Sequence, residues 1–144
     1  MNDLILAIDP GTEKSAFVVF DQNERSVIDK GICVNDGIIN YILDHNESPI
    51  AIEMVASYGM PVGREVFETV LWIGRFMQTA HWSLQTPTLI YRKDVKMHLC
   101  GSVRAKDANI RQALIDLLGK EKTTGVSKDM WAALGVAVTV AGIQ

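Results

Sequence analysis

Cysteine, proline and long hydrophobic runs are all scarce in this chain of 144 residues. Its two cysteines, Cys33 and Cys100, lie far apart without the spacing of a metal site, so we expect free thiols. No segment approaches the ~20 apolar residues that span a bilayer, and the N-terminus lacks the pattern of a signal peptide. We therefore expect a soluble, intracellular protein. With four prolines and 48% hydrophobic residues, the composition is that of a globular domain and excludes a fibrous or disordered chain.

Positive charge is also in short supply. The chain has 14 Lys and Arg against 17 Asp and Glu, a formal net charge of −3, so nothing attracts it globally to nucleic acid. One segment departs from this balance, because residues 92–111 hold six basic and two acidic side chains, a local excess of +4. Its basic residues are Arg92, Lys93, Lys96, Arg104, Lys106 and Arg111. This basic segment is either a surface for phosphate or a solvated face around a helix start.

The apolar pattern predicts three strands followed by alternating helices and strands. Strands are predicted at 4–8, 15–20, 26–34, 50–54 and 89–91. Helices are predicted from a cap at Asn35, Asp36 and Gly37 to about 44, from after Gly63 to about 82, and at 94–99, 106–118 and 129–140. The first three strands form an antiparallel meander, and the whole is an α/β sheet covered on both faces. Since no linker interrupts it, we expect one domain over residues 1–144.

Three acidic residues lie at the ends of predicted elements. Asp9 ends the first strand and precedes the turn Pro10-Gly11-Thr12, Glu53 ends the fourth strand, and Asp129 begins the last helix. Converging carboxylates of this kind suit a divalent cation. Each acid also has a simpler interpretation: Asp9 stabilises its turn, Glu53 pairs with a lysine, and Asp129 is a helix N-terminal charge.

In order and spacing, these segments resemble the RuvC family of Holliday-junction resolvases, within the RNase H-like fold, and most of all its bacteriophage members. The similar segments are 6–12, 50–53, 91–96, 101–106 and Asp129 with 132–137, so the resemblance covers nearly the whole chain. It implies an RNase H-like fold: a five-stranded mixed sheet flanked by helices on both faces. It also implies a nuclease domain that spans residues 1–144.

The resemblance further implies a chemistry. Asp9, Glu53 and Asp129 correspond to acids that bind Mg²⁺, with two ions per active site and Mn²⁺ able to substitute, for hydrolysis of phosphodiester bonds in Holliday junctions and related branched DNA. Lys106 corresponds to a family lysine that faces DNA, where it either contacts the scissile phosphate or stabilises developing charge, so it is a predicted catalytic residue. A fourth family acid is absent, because this chain has Ala132 at that position. The expected location is the cytoplasm, of a bacterial host cell if the chain is phage-encoded.

The predicted partners are branched DNA and a second copy of this chain. The residues expected to bind DNA are the six basic residues of segment 92–111 together with Tyr58. Tyr58 lies in a flexible loop after Glu53, where its ring either stacks on bases or packs on the following helix. The helix that ends near residue 82 carries apolar residues on more than one face, which favours a homodimer with a two-fold partner helix over an ordinary buried core helix.

Three other functions stay open at this level. An actin-like ATPase would use residues 9–12 as a phosphate loop, although that architecture needs two such domains. A branched-DNA binding module without cleavage would explain Ala132. An RNase H-like nuclease that acts on RNA–DNA hybrids or rRNA precursors is the nearest enzymatic alternative.

Overall fold

The computed structural model describes residues 3–144, and its elements follow the predicted order. The strands are β1 (Leu4–Asp9), β2 (Lys14–Asp21), β3 (Ser26–Val34), β4 (Ile50–Met54) and β5 (Thr88–Tyr91). The helices are α1 (Asn35–Asp44), α2 (Arg64–Trp82), α3 (Arg92–Cys100), α4 (Asp107–Leu118) and α5 (Met130–Ala141). Each predicted element is present, with its ends shifted by no more than a residue or two.

The strands form one five-stranded mixed sheet in the order β3-β2-β1-β4-β5. The first three strands pair antiparallel, whereas β4 runs parallel to both β1 and β5. Ile8 of β1 pairs with Ile52 of β4, so the next residues, Asp9 and Glu53, lie side by side near the carboxyl ends of these two parallel strands. The predicted mixed sheet is confirmed, and its parallel centre places two acids together.

Helices cover both faces of the sheet, as predicted. Ala7 and Ala51 face a core built with α3, α4 and α5, and the alternate residues Leu6 and Ile8 face a second core built with α1 and α2. Helix α5 is buried along residues 133–138, which makes it the central helix of the first core. Cys33 and Cys100 are free thiols. No helix within residues 3–144 has both the length and the apolar character that a membrane span requires.

Asn35 departs from its predicted role. It does not cap α1, whose N-cap position is Val34 and lacks a side-chain capping bond. Its side chain is buried instead: Asn35 Oδ1 accepts a hydrogen bond from Ser15 Oγ at 2.5 Å, and Nδ2 donates to the Gly11 carbonyl at 3.0 Å. Ser15 Oγ also accepts the Gly11 N–H at 3.1 Å. This network fixes the turn that directly follows Asp9.

Gly11 is required by the same turn. A Cβ atom at this position would lie 2.2 Å from the Lys14 carbonyl oxygen, far inside contact distance. The tight turn therefore depends on a glycine that permits close backbone approach and on Asn35, which ties the turn to α1.

Replacing Asn35 with Ala should lower the free energy of unfolding by about 1–3 kcal/mol, because buried groups of Ser15 and Gly11 lose their partner. Urea unfolding measures the change. The matched control is Asn40→Ala, at an exposed position of the same helix, which should shift stability by less than about 0.5 kcal/mol. Equal effects of the two substitutions would contradict a structural role for the network.

Candidate active site

Asp9 and Glu53 form a close carboxylate pair at the carboxyl ends of β1 and β4. The pKa of Asp9 is raised to about 8, first by burial and then by the charge of Glu53 and a hydrogen bond between the two carboxyl groups. The charge of Asp129 raises it further, and Arg92 opposes the shift. Two carboxylates this close repel each other unless a proton or a cation lies between them.

Asp129 stands at the N-cap position of α5, but its side chain makes no capping hydrogen bond. Its exposed carboxylate therefore makes no capping bond, although its position at the N-terminus of α5 is compatible with a favourable helix charge. It contributes charge at Asp9 and no hydrogen bond. In the part of the chain that the structure describes, no three Asp, Glu, His or Cys side chains are grouped closely enough to hold a metal ion by themselves.

The chemistry of these donors fits a magnesium-type cation. All three side chains offer carboxylate oxygen, which Mg²⁺ and Mn²⁺ prefer, and Mg²⁺ usually keeps several waters and takes few protein ligands. Asp9 and Glu53 would hold such an ion directly. Asp129 faces the same charge cluster from α5, and the neighbouring position one helical turn on is the alanine Ala132.

Arg92 connects the acid pair to α4. It is the first residue of α3, directly after β5, and its Nη1 lies 3.4 Å from Glu53 Oε1 while its Nη2 forms an ion pair with Asp107 Oδ1. Burial lowers the pKa of Arg92, but the bonds and charges of Asp107 and Glu53 outweigh it, so the net shift is upward. Glu53 is therefore paired with an arginine, where the simpler interpretation had a lysine.

The start of α3 orients Arg92. The Tyr91 N–H donates to Asp94 Oδ2 at 3.1 Å, which caps the helix and fixes the backbone on either side of Arg92. From the sequence, Asp94 and Asp107 are recognisable only as negative charges. Asp107 lies 15 positions from Arg92, and no local signal connects the two residues.

A basic cleft of about 450 Å³ opens beside the acids. Its lining gathers four of the predicted DNA-binding residues, and it consists of Tyr58, Arg92, Lys93, Lys96 and Val103. Tyr58 is 61% exposed and adopts a positive φ of 52°, an uncommon conformation that presents its ring to solvent. Since Arg92 lines this cleft and contacts Glu53, the basic cleft and the carboxylate pair adjoin.

The other predicted DNA-binding residues lie outside this lining. Arg104 is exposed, in a turn closed by a hydrogen bond from its own N–H to Ser102 Oγ. Lys106 is exposed at the N-cap position of α4, next to Asp107, and its N–H donates to Asn109 Oδ1 at 2.9 Å. Arg111 lines a small cavity together with Arg92 and Asp129. The basic cleft therefore holds only half of the six basic residues of segment 92–111.

No family model and no curated protein sequence matches this chain. Solved structures do. The Thermus thermophilus RuvC structure superposes with a TM-score of 0.74 at 15% identity, covering 96% of this chain and 93% of that chain. T. thermophilus RuvC in complex with Holliday junction substrate gives a TM-score of 0.75 at 16% identity, covering 96% and 92%. This chain has a RuvC-like fold. The RNase H-like architecture expected from the resemblance is thereby confirmed.

The RuvC-like fold explains why residues so far apart in sequence meet. The β2–β3 hairpin and α1 separate β1 from β4 in the chain. After α1 the chain returns to the centre of the sheet, where β4 pairs with β1. The turn network of Ser15 and Asn35, the Arg92–Asp107 pair and the position of Trp131 beside Arg111 are the features that sequence reasoning missed.

Without a divalent cation, Asp9→Asn should stabilise the protein near pH 8. The pKa of Asp9 is about 8 in the folded protein against 3.8 for an ordinary Asp, so the folded state keeps a proton that the unfolded chain has lost. The free energy of unfolding therefore falls as the pH rises from about 4 to about 8, and asparagine at this position removes that fall. The advantage should reach at least about 1 kcal/mol, the equivalent of one pKa unit, near pH 8 and vanish near pH 4, as measured by thermal unfolding in EDTA.

Magnesium provides the complementary measurement. A cation held by Asp9 stabilises the folded parent in proportion to its occupancy, and Asp9→Asn should lose that stabilisation. The matched control is Asp3→Asn, an exposed aspartate before β1, which should behave like the parent. The proposed cation site at Asp9 would be contradicted if the stability of the parent rose towards pH 8 in EDTA and did not change when magnesium was added.

Proposed function

We propose that this protein is a metal-dependent, structure-selective endodeoxyribonuclease that cleaves Holliday junctions and related branched DNA, in recombination or in the processing of phage DNA. One observation carries the proposal: on a RuvC-like fold, the Asp9–Glu53 carboxylate pair adjoins a cleft lined by Arg92, Lys93 and Lys96. The solved match in which T. thermophilus RuvC is bound to Holliday junction substrate supports this choice of DNA. We propose that residues 1–144 act as one nuclease domain.

The residues divide the work of hydrolysis. Asp9, Glu53 and Asp129 are proposed to hold Mg²⁺, two ions per site, with Mn²⁺ able to substitute. When bound, such ions activate water and stabilise the leaving oxygen. Arg92, Lys93 and Lys96 bind backbone phosphates along the cleft, and Lys106, next to the Arg92–Asp107 pair, is proposed to contact the scissile phosphate.

Tyr58 is the proposed source of structural selectivity. Its ring is exposed at the rim of the basic cleft, in the loop that follows β4 and therefore Glu53. Bases are accessible for stacking where a junction is open and inaccessible inside continuous duplex, so an aromatic side chain beside the acids favours branched substrates.

The same fold offers a surface for a second subunit on α2. Thr69, Ile73, Phe76 and Ala80 face the core, whereas the opposite side presents an exposed apolar stripe. The stripe consists of Phe67 (61% exposed), Leu71 (66%) and Trp82 (73%), with the exposed Gly74 between them. No atom lies within 4 Å of a Cβ built on Gly74, so a partner helix can approach closely there. We propose a homodimer whose two-fold axis passes near this stripe, because two opposed strands require two sites.

Leu71→Lys should convert the dimer to monomer without unfolding it, because a lysine there places an unpaired charge in the interface and touches no core residue. Light scattering on the purified protein measures the mass. Leu84→Lys is the matched control, since Leu84 is 93% exposed just beyond α2. A parent protein that is monomeric at working concentration would refute the proposed dimer.

Cleavage assays test the nuclease directly. With Mg²⁺ or Mn²⁺ the parent should cut four-way junctions in preference to linear duplex, and Asp9→Asn should lower cleavage by at least about 100-fold, the cost of losing one preorganised electrostatic group. Asp3→Asn should cut at the parent rate. Junctions bound but never cut with either metal would instead identify a binding module. Preferential cleavage of RNA–DNA hybrids would identify another RNase H-like activity.

A further inference from the structure

A second, smaller cavity shares Arg92 with the basic cleft. Its volume is about 100 Å³, and three basic side chains reach it, from Arg92, Arg111 and Lys128. Asp129, Trp131 and Ala132 form the wall on the α5 side. Arg92 is the residue that this cavity and the basic cleft share. The cavity therefore adjoins both the basic cleft, through Arg92, and the acid cluster, through Asp129.

Two of the three cations are held in place by their neighbours. Arg92 is fixed by Asp107 and Glu53, and the guanidinium of Arg111 lies 5.8 Å from the centre of the Trp131 ring. An arginine carries five N–H donors, so each keeps donors free for a further acceptor. Three cations face two carboxylates around the cavity, and one of those carboxylates, Asp107, is already paired with Arg92. The site is preorganised for an anion.

Lys128 reaches the cavity from a strained backbone. Its φ is 51°, in the left-handed region that side chains other than Gly, Asn and Asp rarely adopt. Strain of this kind persists where the surrounding structure imposes it, and it concentrates at functional sites. The strain places a cation directly beside Asp129.

Size and charge together select the ligand. Binding sites for small molecules usually have volumes of at least ~300 Å³. This cavity has a volume of about 100 Å³, so it is too small for a nucleoside but large enough for a single tetrahedral anion. We propose that this cavity is a second phosphate-binding subsite, which holds a DNA backbone phosphate next to Asp129 through Arg92, Arg111 and Lys128. The inference rests on the proposed function, because its ligand is a phosphate of the DNA that the protein is proposed to cleave.

The experiment compares two substitutions to glycine. Each removes one positive charge from a residue whose φ is positive. Lys128→Gly removes one positive charge and relieves a positive φ at the cavity. Arg25→Gly, the control, does the same at φ 52° in the β2–β3 turn, at the end of the sheet opposite Asp9. Binding of a four-way junction is measured in EDTA by fluorescence anisotropy over a range of salt, with Arg111→Gln as an independent second variant.

Lys128→Gly and Arg111→Gln should each reduce the salt slope of log K by about 1, which corresponds to roughly eightfold weaker binding at about 0.1 M salt. Arg25→Gly should bind like the parent, and neither glycine variant should have a lower Tm. In a scan of neutral methylphosphonate substitutions along the junction strands, one position should weaken binding by the parent more than it weakens binding by Lys128→Gly, because that variant keeps only two of the three cations.

Each contrary result has its own meaning. If Lys128→Gly and Arg111→Gln bind as Arg25→Gly does, the phosphate subsite is refuted while the proposed function stands. If the loss of affinity comes with a drop in Tm that Arg25→Gly lacks, Lys128 has a structural role and the subsite is again refuted. If the parent does not bind branched DNA at all, the proposed function fails, and the subsite fails with it.

Discussion

The parallel pairing of β1 with β4 is the constraint on which the rest of the site depends. It brings Asp9 and Glu53 to one edge of the sheet and half-buries both, although each carboxylate raises the energy of the other. A fold that accepts such a cost must offset it with a proton, a cationic side chain or a metal ion. The Arg92 side chain lies beside Glu53, and the raised pKa of Asp9, about 8, favours a proton on the pair when no cation is bound.

Arg92 is where the acidic and basic parts of the molecule meet. It contacts Glu53 and Asp107, and it lines both the basic cleft and the smaller cavity. A phosphate that binds in either place competes with Glu53 for the same guanidinium. In the proposed nuclease, DNA binding and the electrostatics of the carboxylates are coupled through one side chain. The net charge of −3 is compatible with that proposal because positive charge is concentrated around Arg92.

Periodicity and turn chemistry were sufficient to predict the order and type of every element, since each strand and helix carries its own apolar pattern. The cap at Asn35 was wrong for a physical reason. Asn is favoured both at helix starts and in buried hydrogen-bond networks, and only the approach of Ser15 and Gly11, which are 20 and 24 positions away, selects the second role. The roles predicted for Lys106, Arg104 and Tyr58 stay predictions, for which the structure supplies positions.

The sequence by itself determined which residues end strands, which helices have two apolar faces and where positive charge is concentrated, because those properties depend on neighbours along the chain. Only the tertiary structure decided that Asp107 pairs with Arg92. It also placed Arg111 in a cavity beside Asp129 and not in the basic cleft. It bonded Asn35 to the turn that follows Asp9. These contacts join side chains on different elements. Their energies depend on distances through space, and the local pattern of residues carries no information about those distances.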